Sequence, residues 1–461
     1  MSTQSPTIGP LGRRVAALAL LVLAAVPARA QQPATPAPGA PLTLGDAARL
    51  AARQGASVEG ARFRAEQADA RVSQRRADLL PSLSGVALYN ERNFNTATLG
   101  LNFPNPTTGE PSFPPNGMVV PSFPAWDMRA RVSQTLFDVG AIARVRSAQT
   151  AANAAEIAVS DAGEQAAATA AAAYLRYLRA QADVEARGAD SVLADSLLLI
   201  ARELLRSGVG VALDVTRAEA QLAGTRAQLI ASRNGRDRAR LELLRALNLP
   251  VDAPLALADS LPALPVDEPP PNEAEAVEAA LRTRPDLRVA EEQMLAAERQ
   301  IGAIRAERLP TIGVFADDGV NGKNTQHLLG TYSWGVQLSL PIFDGLRREA
   351  RIEEQQAAMS EIDVRRRDLR LQVATEVRGA LLDLAAAREQ VDAARERLRL
   401  AEQELAQSRD RFRAGVSGNA DVITASLQLT GARTLVIDAL TSYQAARVAL
   451  ARAQGTVTRL R

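Results

Sequence analysis

The 461-residue chain contains no cysteine, one histidine and one lysine, and aromatic residues make up only 3% of it. Without cysteine there is no disulfide framework and no thiolate for a soft metal or a lipid anchor. The single histidine, His327, sits in the polar stretch GVNGKNTQHLLG (Gly319–Gly330), which reads as a hairpin loop. No Cys–His pair or Ser–His–Asp arrangement can be assembled, so no catalytic, metal or cofactor residue is assigned. Phosphate-binding loops are missing too, since nothing matches G-x-x-x-x-G-K-[ST]. The adjacent acids Asp317-Asp318 and Asp267-Glu268 read as solvated loop groups rather than cation ligands. So few aromatics leave too little bulk for several compact cores of ordinary make-up. Neither sign of charge dominates: 54 basic and 52 acidic residues give a net of +2, and nothing points to nucleic acid.

A long apolar run is also lacking. VAALALLVLAAV (Val15–Val26) is twelve residues, short of the roughly 20 a membrane helix needs. With Arg13-Arg14 before it and Ala28-Arg29-Ala30 after it, the run reads as a signal peptide over 1–30, the alternative being a retained anchor. Export with a mature start near Gln31 is expected, followed by a flexible Pro-rich segment over 31–41. Such a chain is held by folding and association alone.

What is present is a duplication. GVGVALDV (Gly208–Val215) returns as GVSGNADV (Gly415–Val422), LLPSLSG (Leu79–Gly85) as RLPTIGV (Arg308–Val314), and LFDVGAIARV (Leu136–Val145) as IFDGLRREARI (Ile342–Ile352). The spacing between landmarks is nearly equal in the two halves, which marks two copies of one unit. They span 42–260 and 272–461, joined by a Pro-rich linker over 261–271 that is expected to be extended and semi-rigid. Within each copy the period changes twice. A helix is expected first, running in the second copy from a cap at Asn272 to about Arg308, where Pro310 ends it.

The period then becomes two. In AWDMRARVSQTLF (125–137) Trp126, Met128, Ala130 and Val132 share one face while Asp127, Arg129, Arg131 and Ser133 share the other. In TYSWGVQLSLPIF (331–343) Tyr332, Trp334, Val336 and Leu338 oppose Ser333, Gly335 and Gln337. With weaker partners over about 82–94 and 311–320, these make one hairpin per copy. Length and alternation suit outer-membrane barrel strands, with Trp126, Tyr332 and Trp334 facing lipid; the alternative is a soluble sheet with one wet face. Four strands cannot close a barrel, because the smallest has about 8. The barrel must then be shared, and strand arithmetic alone does not choose between two copies and three. The 94–124 connection, rich in Pro, Asn and Phe, reads as an external loop.

After each Phe-Asp the pattern returns to helix over about 140–206 and 345–413, followed by return helices over about 214–248 and 421–458. In the second copy Val373, Val377, Ala380, Leu384, Ala387, Val391, Ala394, Leu398, Ala401, Leu405, Ser408 and Phe412 keep alternating spacings of 4 and 3, a coiled-coil seam. At 1.5 Å per residue the long helices reach about 100 Å, and two short helices end to end match one long one. A rod of that length below a membrane barrel has the proportions of a conduit.

Taken in this order, the two L-P-x-[LI] stretches (Leu80–Leu83, Leu309–Ile312), the two Phe-Asp pairs, RTRPDLRVAEEQ (Arg282–Gln293), LNLP (Leu247–Pro250) and the twin Gly-Val…Asp-Val turns resemble the TolC-like outer-membrane efflux family. The resemblance implies a mainly α chain with a β-barrel portion: a homotrimer with a 12-stranded barrel continued by an α-helical tunnel through the periplasm. It further implies a periplasmic adaptor at the tunnel tip, an inner-membrane pump, and passive conduction in an efflux or type I secretion system. The lack of the OprM-type lipid-bearing cysteine implies an unlipidated protein. By the same resemblance Gly208, Val209, Gly415 and Val416 are adaptor-docking tips. Asp214 and Asp421 are entrance acids, Thr424 stands where TolC has a second acid, and Phe412 and Ser417 stand where it has a tyrosine and an arginine. Simple N-capping of the return helices is the plainer role for the two aspartates. A coiled-coil scaffold of the cell envelope is the alternative function.

Overall fold

The computed structural model describes residues 41–99, 107, 116–266 and 271–460. The expected signal peptide, residues 31–40, the acids Asp267-Glu268 and the middle of the 94–124 connection lie outside them. The duplication is literal in the fold. The first copy runs α1 (Leu44–Gln54), α2 (Ala56–Ala77), β1 (Ser82–Asn95), β2 (Val119–Phe137), α3 (Val139–Arg206) and α4 (Ala212–Ala246). The second runs α5 (Glu273–Thr283), α6 (Pro285–Ala306), β3 (Thr311–Gly322), β4 (Leu329–Ser339), α7 (Arg347–Arg413) and α8 (Asn419–Gln454). The long helices have 68 and 67 residues, about 100 Å each, and their return helices 35 and 36.

The single helix expected over 272–308 is two. Asn272 does cap the first, its side chain accepting from the Ala274 and Glu275 amides. Pro285 then forces Arg284 into an extended conformation (φ −62°, ψ 125°), because a residue before proline is driven out of the helical region. Gly55 makes the corresponding break in the first copy.

The four strands form one antiparallel sheet in the order β1-β2-β3-β4, with no strand paired to the outer edges of β1 and β4 among the described residues. Pairing of Trp126 with Tyr89, Val132 with Ala316 and Ala316 with Trp334 carries the apolar face across all four strands. It is interrupted by Asp318, which is no loop acid but an exposed strand residue opposite Ala130 and Tyr332. Tyr332 and Trp334 are 79% and 75% exposed, whereas Trp126 is half-buried against Tyr89 at 4.7 Å between ring centroids. Asp317 is no solvated loop acid either. It lies on the polar face of β3, 4% exposed, held by Arg129 at 3.0 Å, Arg131 at 3.4 Å and Ser333 at 2.8 Å. Two strand limits also differ from expectation. β2 starts at Val119, its Pro121 and Pro124 tolerated because β3 pairs only with residues from Trp126 onward. β4 stops at Ser339, before Pro341, which has no amide to donate.

Below the sheet the helices form an upper and a lower layer. In the upper layer packing runs α2–α3–α6–α7; in the lower it runs α4–α3–α8–α7. Sheet and both layers therefore share one lateral order, with β1, α2 and α4 on one flank and β4 and α7 on the other. Ten of the twelve seam residues of α7 are buried; Leu398 and Ser408 are half-buried. Where the layers meet, the start of the first copy is tied to its end: Leu42 bridges Leu257, and Asp259 Oδ2 accepts from the Leu44 amide and, at 2.8 Å, from Tyr174 Oη. Leu261 and Val266 are buried there, so the described part of the linker is packed into the core rather than acting as a free spacer.

Candidate functional site

The far end of the rod is built by two helix reversals. α3 and α7 each end with glycine in the left-handed region, Gly208 at φ +79° and Gly415 at φ +70°. The Val209 amide donates to the Leu204 carbonyl and Gly208 to Leu205, both at 3.1 Å; Val416 donates to Arg411 at 3.1 Å and Gly415 to Phe412 at 3.0 Å. These are two Schellman motifs, with glycine at the position where a β-carbon is disfavoured. The repeated Gly-Val is therefore a chain-reversal signal first. Both valines remain 65–67% exposed.

The two reversals touch. A β-carbon on Gly415 would meet Val209 Cγ1 at 3.3 Å, and fully buried Asn419 donates from Nδ2 to the Asp214 carbonyl at 2.8 Å. Sequence reasoning missed Asn419. The signal was a single difference, since it stands where the first copy has Ala212, polar against apolar in otherwise matched turns. Around it Phe412, Val422, Leu405, Leu197 and Leu222 from all four lower helices form one apolar cluster. Phe412 thus lies in the core of the tips, 3% exposed, rather than on their surface.

Asp214 and Asp421 occupy the first turns of α4 and α8, where the helix dipole favours a carboxylate. The cap positions themselves are Val211 and Gly418, and neither makes a side-chain cap bond, so the hydrogen-bonded capping expected of the aspartates is not made. The Asp214 side chain is 16% exposed with Arg217 Nη1 at 3.9 Å; Asp421 is exposed and has no ion-pair partner among the described residues. Thr424 donates to the Ala420 carbonyl within its own helix, at 2.9 Å. Ser417 Oγ and Asn419 Oδ1 are buried with no hydrogen-bond partner within the chain. The surface of the tips thus presents two apolar knobs with the exposed Asp421 beside them, over an apolar core. No group of acids or histidines among the described residues is arranged to hold a metal ion. No described helix is long and apolar enough to cross a membrane.

The profile of the family described as "Outer membrane efflux protein" matches residues 48–249 and 276–456. The chain is 28% identical over 258 residues to the probable efflux pump outer membrane protein TtgC of Pseudomonas putida, covering 54% of this chain and 51% of that one. It thus spans about half the length of that relative. It is 27% identical over 378 residues to Protein CyaE of Bordetella pertussis, covering 81% of this chain and 75% of the other. Among solved structures, the Campylobacter jejuni CmeC outer membrane channel superposes with a TM-score of 0.71 at 19% identity, covering 90% of this chain and 85% of that one.

Proposed function

From the premise that this chain belongs to the outer membrane efflux protein family, we propose that it is a passive exit duct of a tripartite efflux pump or type I secretion system. Three copies close a barrel of about 12 strands in the outer membrane and continue it as a helical tunnel through the periplasm. The tips meet a periplasmic adaptor coupled to an inner-membrane pump. The observation that carries this reading is the sheet. Its apolar face, including Tyr332, Trp334, Val336 and Leu338, is exposed, and both its edges lack partners among the described residues. An open edge in lipid leaves backbone groups unpaired at several kcal/mol each, so such a sheet is stable in a membrane only when closed. A soluble scaffold would hide that face instead.

The shared lateral order of sheet and helix layers supports a ring. Its two flanks are different surfaces, so copies join head to tail, and a head-to-tail contact that closes gives a cyclic oligomer. Nothing in such a duct performs catalysis; energy and selectivity come from the pump. The test is the purified chain in a planar bilayer. Discrete conductance together with a heat-dissociated trimer in detergent is expected. A monomer confined to the soluble periplasmic fraction would overturn the duct.

A further inference from the structure

We propose that the groove between the top of α3 and the end of α6 is a phospholipid site, taking an acyl chain along its wall and the anionic headgroup phosphate at Arg146 and Arg299. The inference rests on the outer-membrane reading above and adds a ligand to it.

The groove, about 660 Å³, is walled by Val139, Ala143, Gly302 and Ala306, with the two arginines as its only polar lining. It opens at the membrane end of the rod: α3 begins two residues after β2 ends, and β3 begins five residues after α6 ends. Arg146 and Arg299 each lie seven residues from that end, about 10 Å below it at 1.5 Å per residue, so the apolar wall lies between them and the strands. Four neighbouring arginines are neutralised there, Arg144 by Asp138, Arg308 by Glu349, Arg348 by Asp344 and Arg351 by Glu307, while Arg305 and Arg347 have no ion pair among the described residues but do not line the groove. Arg146 and Arg299 are exposed and have no carboxylate within ion-pair distance among the described residues. Arg299 does reach the Arg146 carbonyl at 3.5 Å and the Thr150 hydroxyl, contacts that place its guanidinium without cancelling its charge.

The groove also faces the right way. On α3, Ala148, Ala152 and Ala155 face α2, while Ser147 and Thr150 face α6. At 100° per residue these neighbours stand about 130° apart on one side and about 230° on the other. In a closed wall the wider sector is the outer one, and it holds Ile142, Arg146 and Asn153. A cationic pair at the end of an apolar groove on the lipid side fits a phosphodiester bearing acyl chains, whose oxygens accept the charge-assisted bonds of two guanidinium groups.

The assembled full-length protein, inserted in nanodiscs of phosphatidylethanolamine with or without phosphatidylglycerol and then transferred to detergent, is weighed by native mass spectrometry. Wild type should retain phospholipid and prefer the anionic one. The Arg146→Ala/Arg299→Ala variant should lose about tenfold or more of it, the scale of two lost guanidinium–phosphate contacts. Gly302→Leu, which fills the groove from a position with nothing within 4 Å of its β-carbon site, should lose retention with both arginines intact. Retention unchanged in either variant overturns the site. So does displacement of the lipid by inorganic phosphate alone, which would make the arginines a free-anion site. A chain that never enters nanodiscs overturns the duct itself, a failure distinct from insertion without selective retention.

Discussion

Gly208 and Gly415 hold backbone angles at which a β-carbon costs about 1–2 kcal/mol. Gly208 has open space around it, so Gly208→Ala should cost only that conformational term; Gly415→Val should cost more, because it also pushes Val209 away. Hydrogen exchange of the tip amides, faster in both variants and fastest in Gly415→Val, checks the order. Asn419→Ala removes the bond that braces one reversal to the other and leaves the Asp214 carbonyl without it, at about 1–3 kcal/mol. Exchange should then quicken across 208–216, in the copy that does not carry the mutation. We further propose that Asp421 is an entrance acid and that Val209 and Val416 dock the adaptor. Asp421→Ala, alone and with Asp214→Ala, should then change conductance or cation block in bilayers, and a glutamate at Val209 or Val416 should reduce export while the trimer still inserts. Unaltered cation block in both aspartate variants, or normal export with charged tips, would remove those roles.

Elements are held together at the layer junction by charge as well as by packing. Arg284, placed by the break before Pro285, pairs with Asp286 at 2.6 Å and with Glu376 of α7 at 2.5 Å. Burial alone would raise the Glu376 carboxyl, but hydrogen bonds from Arg284 and Gln372 outweigh it and hold it below the usual glutamate range. A carboxyl lowered on folding contributes stability above its unfolded pKa and loses it as pH falls toward the folded one. Asp161 has the opposite sign. Burial, then the charge of Asp286, raises its carboxyl, so its contribution is present below the ordinary aspartate pKa and is lost as pH rises from there through the raised one. Thermal melts through the acid range should show Glu376→Gln losing less stability than wild type as pH falls. Asp161→Asn should lose less as pH rises. Both effects are modest, because these groups are only partly buried.

For the whole molecule, the decisive surface is the sheet face. Trp334→Arg places a charge where lipid is proposed and should cost about 2–4 kcal/mol near the bilayer midplane, less toward its edges. Insertion yield and unfolding from detergent measure it, and an arginine tolerated without loss would return the sheet to a soluble setting. If three copies close the barrel as proposed, the outer-edge amides of β1 and β4 should be protected from exchange in the assembly by pairing with other copies.

Much of this was legible without coordinates. Period fixes which faces are apolar, and the copy-to-copy spacing reveals the duplication, so strands, seam and reversals were readable from order alone. Asn272 and the α7 seam were readable because caps and heptads are local. The break at Arg284 was equally local, written in Pro285, but a continuous helical pattern masked it. Contacts between distant segments were not readable: Asp317 among two arginines and a serine, Phe412 inside the tip core, Asn419 braced against Asp214. Nothing in a lone Asp-Asp or a lone Asn says which strand or helix will lie beside it. Sequence by itself determined a doubled strand-and-rod unit, because periodicity and turn chemistry act over a few residues. Only the tertiary structure decided which charges are paired and which arginines are left facing a groove, because those depend on neighbours brought together from elements far apart in the chain, 188 residues for Arg129 with Asp317 and 205 for Asn419 with Asp214.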